Sequence, residues 1–413
     1  MIKRKLYQEL KSHLSKKEIS FIIGPRQSGK TTLMLMLKDH LERTQQKNLF
    51  LNLDIEADKQ FFSSQANLIS KIKLEIGEGK GYVFIDEIQR KEDAGVFLKG
   101  IFDMNPPYKF IVSGSGSVEL KERIHESLVG RKRIFELPPL SFEEFVNFKT
   151  EYKYEGKLTE FLSLHKERAV NLLDEYMNFG GYPRAVLDET IEEKRKTINE
   201  IYQSYIEKDI SYLLKIRKTE DFSNLVKVSA SQIGSIFRIS EISSTLGISY
   251  KTVKDYLWYL EKTFIIHRLS PFFKNVRKEI SKSPIFYFYD LGLRNFAIGS
   301  FGNVVDPKEK SFVFENFVFN LLKEKIRDSS AVIHFWRTKD GAEVDFVINY
   351  GKEQVPLEVK YREFKEPAMT RSFQNFIERY HPERAFVVNL NLNKVLFRDK
   401  TKIQFIPFYN QFL

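Results

Sequence analysis

The run Phe21-Ile22-Ile23-Gly24-Pro25-Arg26-Gln27-Ser28-Gly29-Lys30-Thr31-Thr32 constrains the fold of this chain more than any other stretch. Apolar residues, a glycine-bracketed loop and then Leu33-Met34-Leu35-Met36-Leu37 predict a strand, a tight turn and a helix over 31–41. Glycine at both ends lets the loop take unusual dihedrals and approach a ligand closely. Its backbone N–H groups can then turn inward, beside the positive N-terminal end of a helix. Gly24, Pro25, Arg26, Gln27, Ser28, Gly29, Lys30, Thr31 and Thr32 are therefore the candidate phosphate cradle. In the pattern G-x-x-x-x-G-K-[ST], the lysine (Lys30) reaches the β/γ-phosphates and the hydroxyl (Thr31) holds Mg²⁺.

The segments that follow supply the partners such a loop needs. A strand is expected over 48–54 and a helix over 64–76. Gly81-Tyr82-Val83-Phe84-Ile85 then runs into Asp86-Glu87. A buried parallel strand would carry the two acids to its C-terminal end, beside the phosphates. Asp86 is the candidate for the Mg²⁺ shell, and Glu87 the residue that orients or deprotonates the attacking water. A further strand over 108–112 ends at Ser113, whose hydroxyl is placed to sense a γ-phosphate. Arg131 precedes a strand over 132–137 and is a candidate for charge stabilisation during transfer. The alternative for Arg131 is a solvated place in a basic stretch.

These runs, with Leu128-Val129-Gly130-Arg131-Lys132-Arg133-Ile134-Phe135 and Leu140-Ser141-Phe142-Glu143-Glu144-Phe145 after them, resemble the prokaryotic AAA-like P-loop ATPases. That family is related to the STAND signal-transduction ATPases. The resemblance covers nearly the whole chain and implies ATP and Mg²⁺ as cofactors. It also implies a helical region, a winged helix and a nuclease-like domain, in that order. The expected fold class is accordingly α/β: a P-loop NTPase parallel sheet, then a helical region and winged helix, then a small α/β nuclease-like domain. The expected boundaries are 1–150, 151–215, 216–300 and 301–413.

Beyond the first domain a helix over 159–178 ends in Phe179-Gly180-Gly181-Tyr182-Pro183. Read from the residues this is an interhelical turn. By the resemblance Tyr182 and Pro183 would contact adenine. A long helix is expected over 192–214. Residues 240–260 then read as a helix-turn-helix, with Ile242, Leu246 and Ile248 inside, Gly247 at the turn, and Lys251 and Lys254 outward. A strand over 264–269 and a basic hairpin bearing Lys274, Arg277, Lys278 and Lys282 complete a winged helix. Such a module can place its second helix in the DNA major groove, or serve protein contacts instead.

The last quarter offers a second set of carboxylates. Glu315 lies on a helix expected over 311–322, Asp345 on a strand within 341–348, and Glu358 and Lys360 two residues apart on the next strand. Glu315, Asp345 and Glu358 would jointly hold Mg²⁺, with Lys360 activating the attacking water. The set resembles the PD-(D/E)XK nuclease core, although no proline directly precedes Asp345. The alternative is a binding platform without cleavage. A helix over 369–380 and a strand over 384–390 follow.

Composition narrows the partners. A net charge of +11 and a pI near 9.3 favour nucleic acid or another polyanion. With no cysteine in the chain, disulfides and zinc-thiolate sites are excluded. No apolar run approaches the length of a membrane span, and Met1-Ile2-Lys3-Arg4-Lys5-Leu6 lacks the apolar centre of a signal peptide. A cytoplasmic protein without a membrane partner is expected, and a homo-oligomer is compatible with the resemblance. The leading expectation is an ATPase coupled to DNA. The other reading is a nucleotide-dependent switch that controls protein assembly.

Overall fold

The structure is a computed structural model that describes residues 2–115, 127–205, 219–273 and 282–410. The chain divides into two units, Met1–Leu140 with Lys262–Ile265, and Ser141–Glu261 with Ile266–Leu413.

The first unit is built on five parallel strands: β1 (Ile19–Gly24), β2 (Asn48–Asn52), β3 (Gly81–Asp86), β4 (Tyr108–Ser115) and β5 (Lys132–Glu136). Their spatial order is β2-β3-β4-β1-β5. β1 is buried at all six positions, as a strand paired on both edges and covered on both faces must be. The helix Lys30–Arg43 leaves the loop after β1 and buries Leu33, Met34, Leu37 and Leu41. Fully burying each such side chain stabilises by about 1.5–3 kcal/mol. These residues pack with Leu6 and Leu10 of the helix Leu6–His13, and with Ile22, Phe84, Ile111 and Phe135 of the sheet. β4 stands between β1 and β3. The ends of three neighbouring strands thus meet at one edge, which is what assembles the site below.

The second unit opens with helices. Phe142–Lys149 begins with a complete capping box between Ser141 and Glu144, and Ile191–Gln203 with another between Thr190 and Glu193. The helix expected over 159–178 is two helices, Leu158–Leu164 and Lys166–Phe179, joined at His165. The expected helix over 192–214 is Ile191–Gln203 in its described part. Three helices, Thr219–Ser231, Ile239–Leu246 and Tyr250–Lys262, then lead into strands. Gly247 closes the middle one at φ 65°, in the left-handed turn its sequence predicts. Of the three residues expected inside, only Ile242 is fully buried; Leu246 and Ile248 are half-buried.

The strands form one mixed eight-stranded sheet: β6 (Ile266–Pro271), β7 (Ile285–Phe288), β8 (Val332–Arg337), β9 (Glu343–Asn349), β10 (Gln354–Val359), β11 (Arg384–Asn389), β12 (Lys394–Arg398) and β13 (Thr401–Pro407). The order is β12-β13-β11-β10-β9-β8-β6-β7. The strands expected to make a separate wing, β6 and β7, therefore extend the last sheet through parallel pairing of β6 with β8. The helix Arg371–Tyr380 packs Phe373, Phe376 and Ile377 against Val344, Val347, Val387 and Ile403 of that sheet. Of the expected wing cations, Lys274, Arg277 and Lys278 lie outside the described residues, while Lys282 is exposed. No described helix is long and apolar enough to cross a membrane.

Candidate functional site

The phosphate loop has the strained backbone its sequence predicts. Gln27 and Gly29 are both left-handed, at φ 57° and 93°. A Cβ added at Gly24 would lie 2.2 Å from the carbonyl oxygen of Leu137, so only glycine fits beneath the loop. Lys30 is 6% exposed. Its Nζ donates to the carbonyls of Gly24 at 3.1 Å and Pro25 at 2.7 Å, folding back across the loop. The buried hydroxyl of Ser28 has no hydrogen-bond partner among the described residues.

The acids of β3 meet this loop as expected. Thr31 Oγ1 donates to Asp86 Oδ2 at 2.7 Å. Ser113 Oγ, fully buried on β4, donates to the other oxygen of Asp86 and accepts from the N–H of Glu87 at 3.3 Å. Glu87 is left-handed at φ 57°, which turns its half-buried side chain out of the strand. Gln89 Nε2 donates to Glu87 Oε2. A hydroxyl and a carboxylate in contact make an oxygen donor pair that suits Mg²⁺. Lys30, Thr31, Asp86, Glu87 and Ser113 are thus brought to one end of the sheet.

Arg131 is not among them. β5 pairs with β1 from Ile19↔Lys132 to Ile23↔Glu136, so Arg131 lies at the start of β1. The loop leaves the far end after Gly24, six residues on and about 20 Å away at the rise of a strand. Arg131 forms a surface ion pair with Asp103 at 2.7 Å. The expectation that it stabilises charge at the γ-phosphate is corrected in favour of the solvated alternative, because parallel pairing fixes which end of the sheet it occupies.

Tyr182 is also reassigned. Its ring is fully buried inside the second unit, with its hydroxyl 3.3 Å from that of Tyr205. Burial raises its phenol pKa well above the ordinary value. The Gly180-Gly181 turn before it is held by Asp290, which accepts from the N–H of Gly181 and of Leu293, each at 2.7 Å. Burial pushes the Asp290 carboxyl up to about 6, against the lowering effect of those N–H groups. Pro183 opens the helix Pro183–Leu187. Tyr182, expected to meet adenine, therefore has no ring face left for a ligand, while Pro183 beside it is half-buried.

In the second unit Glu315, Asp345, Glu358 and Lys360 do become neighbours. Glu358 on β10 is 3% exposed, and its Oε1 lies 3.1 Å from Lys360 Nζ. Its Oε2 has no hydrogen-bond partner among the described residues. Asp345 Oδ2 accepts from the N–H of Val359 at 2.7 Å. Glu315, on the helix Pro307–Lys325, accepts from the hydroxyl of Tyr287 on β7. Burial, then the charge of Asp345, raises Glu315 well above the usual carboxyl range. Burial likewise pushes Asp345 up to about 6, with Lys360 pulling the other way. Burial would lower Lys360, but Asp345 and Glu358 outweigh it and raise its pKa. Yet no three His, Cys, Asp or Glu among the described residues are grouped so as to hold a metal ion. The expected joint Mg²⁺ site of Glu315, Asp345 and Glu358 is therefore not assembled as a three-carboxylate group here, although Glu358 keeps one buried oxygen unpartnered. Tyr287 carried no motif signal, since it reads as one more apolar position of a buried strand.

Residues 16–146 match the family model of an AAA domain, while residues 170–303 and 310–410 match two models described as domains of unknown function (DUF8612 and DUF4143). An uncharacterized protein of Methanocaldococcus jannaschii is 25% identical over 97% of this chain and 90% of its own length. One of Haemophilus influenzae is 24% identical over 91% of this chain and 90% of its own length. Among solved structures, AMPPCP-bound DnaA from Aquifex aeolicus is 14% identical, covers 63% of this chain and 90% of its own, and gives a TM-score of 0.28. The replication initiator DnaA bound to AMPPCP and single-stranded DNA is 16% identical, covers 62% of this chain and 86% of its own, and gives 0.30. At these scores the likeness does not extend to function. The loop, its acids and the parallel sheet thus all lie within residues 16–146, the segment that matches the AAA domain model.

Proposed function

We propose that this protein binds and hydrolyses ATP in its first unit and couples that cycle to DNA through its second. The observation that carries the reading is the continuous chain Thr31–Asp86–Ser113–Glu87 in front of Lys30. Lys30 would exchange the carbonyls of Gly24 and Pro25 for phosphate oxygens. Thr31 and Asp86 would hold Mg²⁺, which when bound neutralises charge on the β- and γ-phosphates. Glu87 would accept a hydrogen bond from the attacking water. The water oxygen would bond to the γ-phosphorus as its proton passes to Glu87, the β–γ bridging bond would break, and ADP would leave with the electron pair.

The DNA part rests on charge and on one helix. Lys251 and Lys254 are both exposed on Tyr250–Lys262, which follows a helix and a left-handed glycine turn as a recognition helix does. The last part of the chain runs helix, β8, β9, β10, helix, β11, an order that supports a nuclease-like scaffold. Because no three of its carboxylates are grouped to hold a metal among the described residues, a binding platform is favoured over cleavage. Phosphate release from ATP, measured with and without double-stranded DNA, tests the coupling. Stimulation by DNA is the expected result, and an identical rate would remove DNA from the reading.

A second reading has its own observation. Gln89 already engages Glu87, and a water-orienting residue held in this way suits a slow switch that stays loaded with ATP. Nucleotide-dependent assembly of copies, with turnover slower than assembly and indifferent to DNA, would favour it.

A further inference from the structure

The underside of the phosphate loop is held by a residue that no motif marks. Arg4 is 8% exposed, and its Nη1 donates to the carbonyl of Ser28 at 2.8 Å. Its Nη2 donates to the carbonyl of Pro138 at 2.6 Å and lies 3.4 Å from that of Pro139. One guanidinium therefore joins the loop to the segment that leaves β5. That segment also presses on the loop at its other end, where Leu137 N donates to Ile23 O at 2.8 Å and the Leu137 carbonyl abuts Gly24.

A loop that turns its N–H groups toward an anion turns its carbonyls the other way. Buried carbonyls need donors. Those of Gly24 and Pro25 are served by Lys30, which would abandon them on reaching a phosphate, leaving Pro25 only the N–H of Ser28 at 3.4 Å. The bond from Arg4 to Ser28 does not involve Lys30 and would persist in both states. Ser28 sits between the two left-handed residues, Gln27 and Gly29. Its carbonyl is thus the point at which the most strained part of the loop can be fixed from below.

We propose that Arg4 is a positioning residue of the phosphate site, resting on the nucleotide reading above. It acts through the loop and not on the ligand: by anchoring the Ser28 carbonyl to the β5 exit, it keeps the N–H groups of the loop turned inward before phosphate arrives. A lysine lacks the planar fork that spans two carbonyls, so it would restore the charge and only part of the function.

The test compares the parent with Arg4→Met and Arg4→Lys, well below their melting midpoints, using a fluorescent ATP analogue and inorganic tripolyphosphate with Mg²⁺. Losing a charge-assisted hydrogen bond should weaken binding of both probes by about tenfold or more in Arg4→Met. Arg4→Lys should fall between, with a loss of at least about threefold. Equal factors for the two probes are expected, because the defect lies in the phosphate loop and not at the base. A purely structural role would lower the melting midpoint and leave the affinity of the folded protein unchanged. If Arg4→Met does not fold, Arg4→Lys decides alone. Binding within about twofold of the parent in the folded variants overturns the inference. A parent that binds neither probe overturns the nucleotide reading and this inference together.

Discussion

At Glu87 the backbone turns left-handed, a conformation that costs a residue with a Cβ about 1–2 kcal/mol. The turn lets β3 end in two acids with separate tasks: Asp86 stays buried against Thr31 and Ser113, while Glu87 faces outward. Glu87→Gln should bind ATP nearly as tightly as the parent and lose at least about a hundredfold in turnover. Unchanged single-turnover hydrolysis in that variant would move the water-orienting role elsewhere. At the opposite end of the sheet, burial and then the charges of Lys109 and Arg133 push the His13 imidazole down to about 4. Its ring nitrogen shares a hydrogen bond with Ser20. The unfolded chain takes up this proton near the ordinary value of 6.5, and the folded chain only near 4. The contribution of His13 to stability is therefore complete above the first value and lost as pH falls through the second. Replacing His13 with Gln should flatten the decline of the melting temperature in that window. A decline as steep as the parent's would show that another group carries it.

Among elements, the turn at Gly180 is a sensitive point. Gly180 is left-handed at φ 74°, and a Cβ there would stand 2.4 Å from Asp290 Oδ1. Gly180→Ala should destabilise the second unit by about 2 kcal/mol or more, read as a shift in the denaturation midpoint. No shift would mean that the junction between Gly181, Asp290 and Leu293 yields easily. What was legible beforehand follows the same physics. The phosphate loop and Asp86-Glu87 stand out because buried parallel strands are continuously apolar and end abruptly in polar residues. Arg131 misled because a sequence shows that a strand is near but not which end of the sheet its flanking residue reaches. Tyr182 misled because burial in a helical junction leaves the same Gly-Tyr-Pro signature as a ligand contact. β12 and β13 passed unnoticed: β12 is half-exposed at the sheet edge, and their turn puts Asp399 at φ 51° where a glycine would have announced it.

For the whole molecule, the fusion of β6 and β7 into the last sheet makes the expected wing and the carboxylate-bearing strands one mechanical piece. If DNA is bound along the helix Tyr250–Lys262, replacing Lys251 and Lys254 with Ala should lower the slope of log affinity against log salt by about 2. ATP binding should not change. An unaltered slope would assign that helix to protein contacts. The account as a whole stands on the first unit being a working ATPase, and the most direct measurement is phosphate release from ATP with Mg²⁺ by the parent beside Lys30→Ala. The prediction is steady release by the parent and a loss of at least about a hundredfold in the variant, because backbone N–H groups alone leave the β- and γ-charges uncompensated. Equal release by the two proteins, or none by the parent in a single turnover with enzyme in excess, would contradict it.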